Sequence, residues 1–259
     1  MFKKIALASA IAASASFATW DYFPVLDNHS GQVEVGYVHT LQGDFSAGYL
    51  HAGARFTVIP NLELALGIPY ALFTDYDGYD GPDGLMNMPI MVRYQFMPTM
   101  NAFLDLTLPT SDDELNNAGI GGLSGDGFGF YFGVQYSQNF GAVNLGSELG
   151  FQMQTQGDDK FSAPYELHLG AEADFVLGGM VTPYVGIDLY MWVGEPTLDG
   201  ESQPGSDYSG TLGFEPFVGL NVAFNQMIAL DVSFRMGIGE DMYGDDIPMN
   251  IDGSLQINF

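Results

Sequence analysis

The sequence predicts an all-β protein: a transmembrane, antiparallel, up-and-down β-barrel of about twelve strands. Three features predict it. Apolar residues recur at every second position in run after run, charged residues fall on the opposite phase of those runs, and the connections alternate between short turns and long acidic loops. Successive side chains of a strand point to opposite faces, so each run has one greasy and one polar face. A closed barrel is the sheet form that can cross a bilayer, because closure leaves no unpaired backbone edge.

The chain opens MFKKIALASAIAASASFA, with Lys3 and Lys4 ahead of an apolar run from Ile5 to Ala15 and small residues around Phe17. This is the pattern of a secretory signal peptide, expected over 1–18. The run is too short for a membrane helix, which needs about 20 residues. Segment 19–30, TWDYFPVLDNHS, is expected either to stay in the periplasm or to fold back as a plug through Trp20, Tyr22 and Phe23. The barrel is expected over 31–259.

In order, the first candidate strand, 31–42, carries Glu34 on its polar phase, and the second, 46–58, carries Arg55. The third, 62–72, places Leu, Ile or Tyr at every even position, with Glu63, Ala65, Gly67, Pro69 and Ala71 between them. Strands 85–96 and 101–108 turn Arg93 and Asp105 inward, and 127–137 and 142–154 follow with Tyr131 and Glu148. Strand 163–176 turns in Glu166, His168, Glu172 and Asp174, strand 181–193 Asp188, and strand 210–223 Glu215. The last two, 227–239 and 249–259, contribute Asp231 and Arg235, then Asp252. No Asp, Glu, Lys or Arg falls on the apolar phase of any of these strands, where His39 and Ser147 are the notable polar residues. Lipid enforces such segregation, because Arg or Lys facing the bilayer midplane costs about 2–4 kcal/mol. A soluble sandwich also hides charge from its core, but would not usually leave so few basic residues on its solvent faces.

The turns at 59–61, 97–100, 138–141, 177–180 and 224–226 are short, whereas the opposite ends carry segments such as PTSDDELNNAGIGGLSGD at 109–126 and GEPTLDGESQPGSDYS at 194–209. Outer-membrane barrels have this layout, with short turns in the periplasm and long loops outside. Outward aromatics fall into two groups, Tyr70, Phe128, Phe151, Tyr165 and Phe214 toward the loops, and Phe56, Tyr94, Phe96, Tyr136, Phe175 and Phe259 toward the turns. Rings in two girdles suit the two lipid–water boundaries. The last strand points Leu255, Ile257 and Phe259 outward and is expected to act as an assembly signal. The expected location is therefore the outer membrane of a Gram-negative-type bacterium, with the lipid bilayer and the barrel assembly machinery as partners.

The chain has no cysteine, which excludes disulfides, thiolate metal sites and cysteine nucleophiles. Its net charge is −26, and without the leader only Arg55, Arg93, Lys160 and Arg235 are basic. Nucleic acid is excluded as a partner, since binding it requires neutralising phosphates. Adjacent His29 and Ser30 do not make a hydrolase, because a triad is defined by geometry. His168 reads as an interior residue bonded to a carboxylate. The run from Asp75 to Gly81 departs from a calcium loop, with Tyr79 at its fifth position, Asp80 at its sixth and Met86 at its twelfth. It reads as a solvated acidic loop, and no metal, cofactor or catalytic residue is assigned. The many inward glycines, Gly133, Gly150, Gly170 and Gly186 among them, read equally as space for a passage or as room for large neighbours such as Phe103, Tyr131 and Trp192.

Residues 48–154 resemble the meta-pathway phenol-degradation family of outer-membrane barrels. The likeness lies in Leu64-Ala-Leu-Gly-Ile-Pro-Tyr70, in Arg93-Tyr94-Gln-Phe96 before a turn, in Leu106-Thr-Leu-Pro109-Thr110-Ser-Asp112, and in the glycine-rich run to Gly125-Asp126. Ser111 stands where the pattern leads one to expect glycine. The resemblance implies movement of small, often aromatic, molecules across the outer membrane and supplies no catalytic residues. Three inward arginines against eleven inward acids argue against an anionic substrate. The function expected is a channel or transporter for small solutes, aromatic or cationic, with a cation-favouring lumen. The alternatives are a closed structural or adhesive barrel whose loops bind ions or partners, and, behind it, a membrane-embedded hydrolase.

Overall fold

The computed structural model describes residues 22–117, 127–157, 160–202 and 208–259. The signal peptide expected over 1–18 and Trp20 lie outside the described residues. Twelve long strands form the barrel. They are β1 (Gly31–Gln42), β2 (Phe45–Ile59), β3 (Leu62–Tyr76), β4 (Met88–Met97), β5 (Met100–Leu108) and β6 (Gly129–Asn139), followed by β7 (Val143–Gln154), β8 (Tyr165–Phe175), β9 (Val181–Val193), β10 (Leu212–Ala223), β11 (Ile228–Met236) and β12 (Met249–Asn258). Each pairs antiparallel with its neighbours in sequence, and β12 pairs with β1 from Gln32 opposite Asn258 to Leu41 opposite Met249. That last pairing closes the sheet and removes its edges.

The alternation read in the sequence is the wall of the barrel. In β3, Leu64, Leu66, Ile68, Tyr70 and Leu72 are exposed on the outside, while Glu63, Ala65 and Ala71 are buried inside. Outward rings also touch one another, as Phe132, Phe151 and Tyr165 do across three strands at centroid separations of 5.7 and 5.6 Å. An apolar belt of this kind, on a sheet with no free edge, suits hydrocarbon.

The structure departs from the expected strands at the loop end. β3 continues to Tyr76 and turns back through Asp77 and Gly78, both at positive φ, into Tyr79–Asp80. Two residues at positive φ match the tight primed turns of hairpins. Asp75 accepts the Gly78 N–H at 3.1 Å, so this carboxylate shapes the turn. Leu85 does not open β4: Gly84–Leu85 pairs with Ala71 and Tyr70, and β4 starts at Met88. Beyond Met236 the regular pairing gives way to a Gly237 N–H bond to the Pro248 carbonyl at 2.8 Å and a bridge from Ile238 to Phe214. Among the described residues two short helices, α1 (Asp113–Asn117) and α2 (Glu240–Tyr243), lie in loops where no helical period is visible, because four or five residues are too few to show one.

Candidate functional site

The interior has two unlike halves. On the side of β2 to β7, side chains and the N-terminal segment fill it. Glu63 on β3 has one carboxylate oxygen 3.7 Å from both Arg55 and Arg93, and its other oxygen accepts the Leu26 N–H at 2.9 Å. Arg93 donates to the Phe23 carbonyl at 2.7 Å and to the Gln135 side chain, and Gln135 donates to Glu148 at 2.6 Å. Glu148 also meets the Tyr131 hydroxyl and lies 3.2 Å from His168, whose ring stacks on Tyr190 at 4.6 Å. Two arginines share one acid because the pairing register puts Arg93 directly across from Glu63, with Arg55 on the other flanking strand.

Segment 22–30 enters from the short-turn end. Its His29 N–H and Ser30 carbonyl bond to the backbone of Thr57, and the Thr57 hydroxyl donates to the Leu26 carbonyl at 2.9 Å. The Val25 N–H reaches Gln95, and Tyr22 ends against Asp188 in the middle of β9. Asp188 belongs to a row of directly paired inward residues, Gln135, Glu148, Gly170, Asp188 and Glu215. Gly170 is the gap in that row. A methyl there would stand about 2.7 Å from the Tyr22 hydroxyl, so only glycine admits it.

Other inward glycines are likewise filled. A side chain at Gly150 would overlap the Tyr131 ring, at Gly186 the Phe217 ring, and at Gly219 the Tyr184 ring. Of the two uses weighed for these glycines, the structure shows room for large neighbours.

The other half, along β8 to β12, β1 and β2 and reaching the start of β7 at Asn144, holds a cavity of about 420 Å³. Its walls include Asn144, Thr182 and Asn221 near the turns and Val38 and Asn250 toward the loops. Five acids line it: Glu34, Glu172, Asp174, Asp231 and Asp252. His51 lies between Glu34 and Asp252, at 3.5 and 3.7 Å. Asp231 accepts the Tyr184 hydroxyl at 2.7 Å. The two arginines on this wall bond to acids outside the lining: Arg55 approaches Glu63, and Arg235 bonds to Asp188 and lies 3.3 Å from Glu215 while its guanidinium rests on Phe217.

Loops cover the opposite end. In α2, Met242 and Tyr243 are buried against Tyr190 and Trp192, and the Tyr243 hydroxyl donates to Glu215 at 2.9 Å. Gln42 at the end of β1 donates to the Tyr243 and Asp246 carbonyls. This chain thus bridges from β9 and β10 to β1, over β11 and β12. On the other side, Leu115 of α1 is fully buried with Tyr49, Ala71 and Met86.

Of the interior residues expected from the sequence, Arg55, Glu63, Arg93, Asp105, Glu148, Glu166, His168, Asp188 and Glu215 are buried, and Glu34, Glu172, Asp174, Asp231, Arg235 and Asp252 lie in the cavity lining. The structure brings together Glu63, Arg55 and Arg93 as one group and His168, Glu148, Asp188, Glu215 and Arg235 as another. Sequence reasoning missed Tyr243, Met242 and Leu115. The available signal was a large apolar residue isolated in an acidic loop. Leu255, Ile257 and Phe259 point outward, and Phe259 exchanges two backbone hydrogen bonds with Gly31.

No family model matches this sequence, and no curated protein does. Solved structures do. An outer membrane channel from Pseudomonas putida F1 is 14% identical, with 93% of this chain and 99% of that one covered and a TM-score of 0.73. The NanC porin is 8% identical over 87% and 98% at 0.54, and the translocator domain of the autotransporter NalP from Neisseria meningitidis is 9% identical over 96% and 93% at 0.52. At such identities the likeness is one of fold, and the fold is that of a twelve-stranded outer-membrane barrel.

Proposed function

We propose that the protein is a channel for small solutes across the outer membrane and that it favours cations. The observation that carries this reading is the charge of the cavity: five acids line it against Arg55, Arg235 and the His51 imidazole, and both arginines also contact acids outside the lining. Carboxylates around a confined aqueous path raise the local concentration of cations and exclude anions. The polar lining suits hydrated or hydrogen-bonding solutes better than bare hydrocarbon. The reading is non-enzymatic: His29 and Ser30 anchor the N-terminal segment to Thr57 through their backbones.

Segment 22–28 acts in this reading as a constriction. Its deletion is expected to raise single-channel conductance in a planar bilayer several-fold while keeping the cation preference, because the five acids remain. Unchanged conductance in the shortened chain, with the barrel shown to be folded by heat-modifiability, contradicts the constriction. Leu255, Ile257 and Phe259 are the proposed assembly signal, so removing Phe259 is expected to lower the folded fraction recovered from membranes.

A further inference from the structure

The loop covering the outer end and the segment inside the barrel are joined by one line of side chains. Tyr243 of α2 donates to one oxygen of Glu215 at 2.9 Å, and Arg235 lies 3.3 Å from the other. Arg235 also bonds to one oxygen of Asp188, and the Tyr22 hydroxyl bonds to its second oxygen. Asp188 and Glu215 are each 1% exposed, so water does not compete for these bonds. Both ends are seated on glycine: Gly213 leaves space for Met242 and Tyr243, and Gly170 for the Tyr22 hydroxyl.

We infer that α2 and segment 22–28 form one coupled gate, with Glu215, Arg235 and Asp188 as its linkage. The strand register sets Asp188 opposite Glu215, Arg235 is shared between the two carboxylates, and Tyr243 and Tyr22 each hold one of the remaining oxygens, the one at Tyr22 also lying 3.3 Å from His168. When the loop lifts, Glu215 loses a donor and draws Arg235 toward itself, which unpins one Asp188 oxygen and lets that carboxylate turn from the position in which its other oxygen meets Tyr22. Release of the segment loosens the loop by the same amount, because coupling free energies are reciprocal. The loop carrying α1 is different: Leu115 packs on Tyr49 and Met86, away from this line. It is an uncoupled cover.

The absence of native cysteine gives a direct test. Val25→Cys reports on the segment and Met242→Cys on the loop, each through its rate of maleimide modification in the full-length protein. With Val25→Cys, deleting 240–243 is expected to speed modification about fivefold or more, the lower range of measured couplings. Deleting 113–117 should leave that rate within about twofold. Tyr22→Phe should in turn speed modification of Met242→Cys. Tyr243→Phe, which removes only the hydroxyl, supplies the same comparison if the deletion fails to fold. A Val25→Cys rate unmoved by loss of α2 or of the Tyr243 hydroxyl overturns the coupling. An equal rise after deletion of α1 also overturns it, since that is general loosening.

Discussion

Around β3 to β7 the inward acids meet arginine, glutamine, tyrosine and the N-terminal chain, whereas around β8 to β12 and β1 most of them face a cavity. Both halves are built from the same kind of strand, with carboxylates and glycines on the inner phase. The difference lies in what covers the carboxylates. Glu63 is 1% exposed and in contact with two guanidinium groups, whereas the Asp252 side chain is 29% exposed and is approached by the His51 imidazole at 3.7 Å. A charged inner face therefore does not by itself make a passage: in one half it is the cement of a packed wall, and in the other the lining of a path.

Substitution should break this comparison most visibly at Glu63. Glu63→Ala leaves Arg55 and Arg93 buried without their shared acid, and removing one partner of a buried pair costs about 3–5 kcal/mol. Urea unfolding of the reconstituted barrel should show that loss, and an unchanged midpoint would mean that the packed half is not held by charge. A smaller effect is expected at Gly150→Ala, where the added methyl meets the Tyr131 ring and overpacking costs about 1–3 kcal/mol. The smallest is Asp252→Asn in the open half, with a stability change under about 1 kcal/mol, as for exposed ion pairs. Its effect should appear instead as a weaker cation preference, and a large loss of stability there would erase the distinction between the halves.

The barrel wall was legible in the sequence because a period of two, repeated strand after strand, needs no tertiary information. Leu64 to Leu72 outside and Glu63 inside follow from alternation alone. The grouping of the interior was not legible. That Glu63 faces Arg93 depends on register, and that Arg55 approaches the same oxygen depends on the strand on the other side. Gly170 and Gly186 look alike in sequence, yet one admits a hydroxyl from the N-terminal segment and the other a phenyl ring. Leu115, Met242 and Tyr243 were hidden for a different reason: one or two apolar residues in an acidic loop carry no period, and their isolation among acids is the one sign that they turn inward.

The most direct measurement is the reversal potential of the reconstituted protein in a salt gradient, compared between neutralising substitutions in the two halves. The parent protein is expected to prefer cations. Asp231→Asn with Asp252→Asn, both in the open half, should shift the reversal potential toward zero selectivity, while Asp105→Asn, buried in the packed half, should leave it unchanged. Anion preference in the parent, or equal shifts from both halves, would contradict the assignment of the path to the acidic cavity.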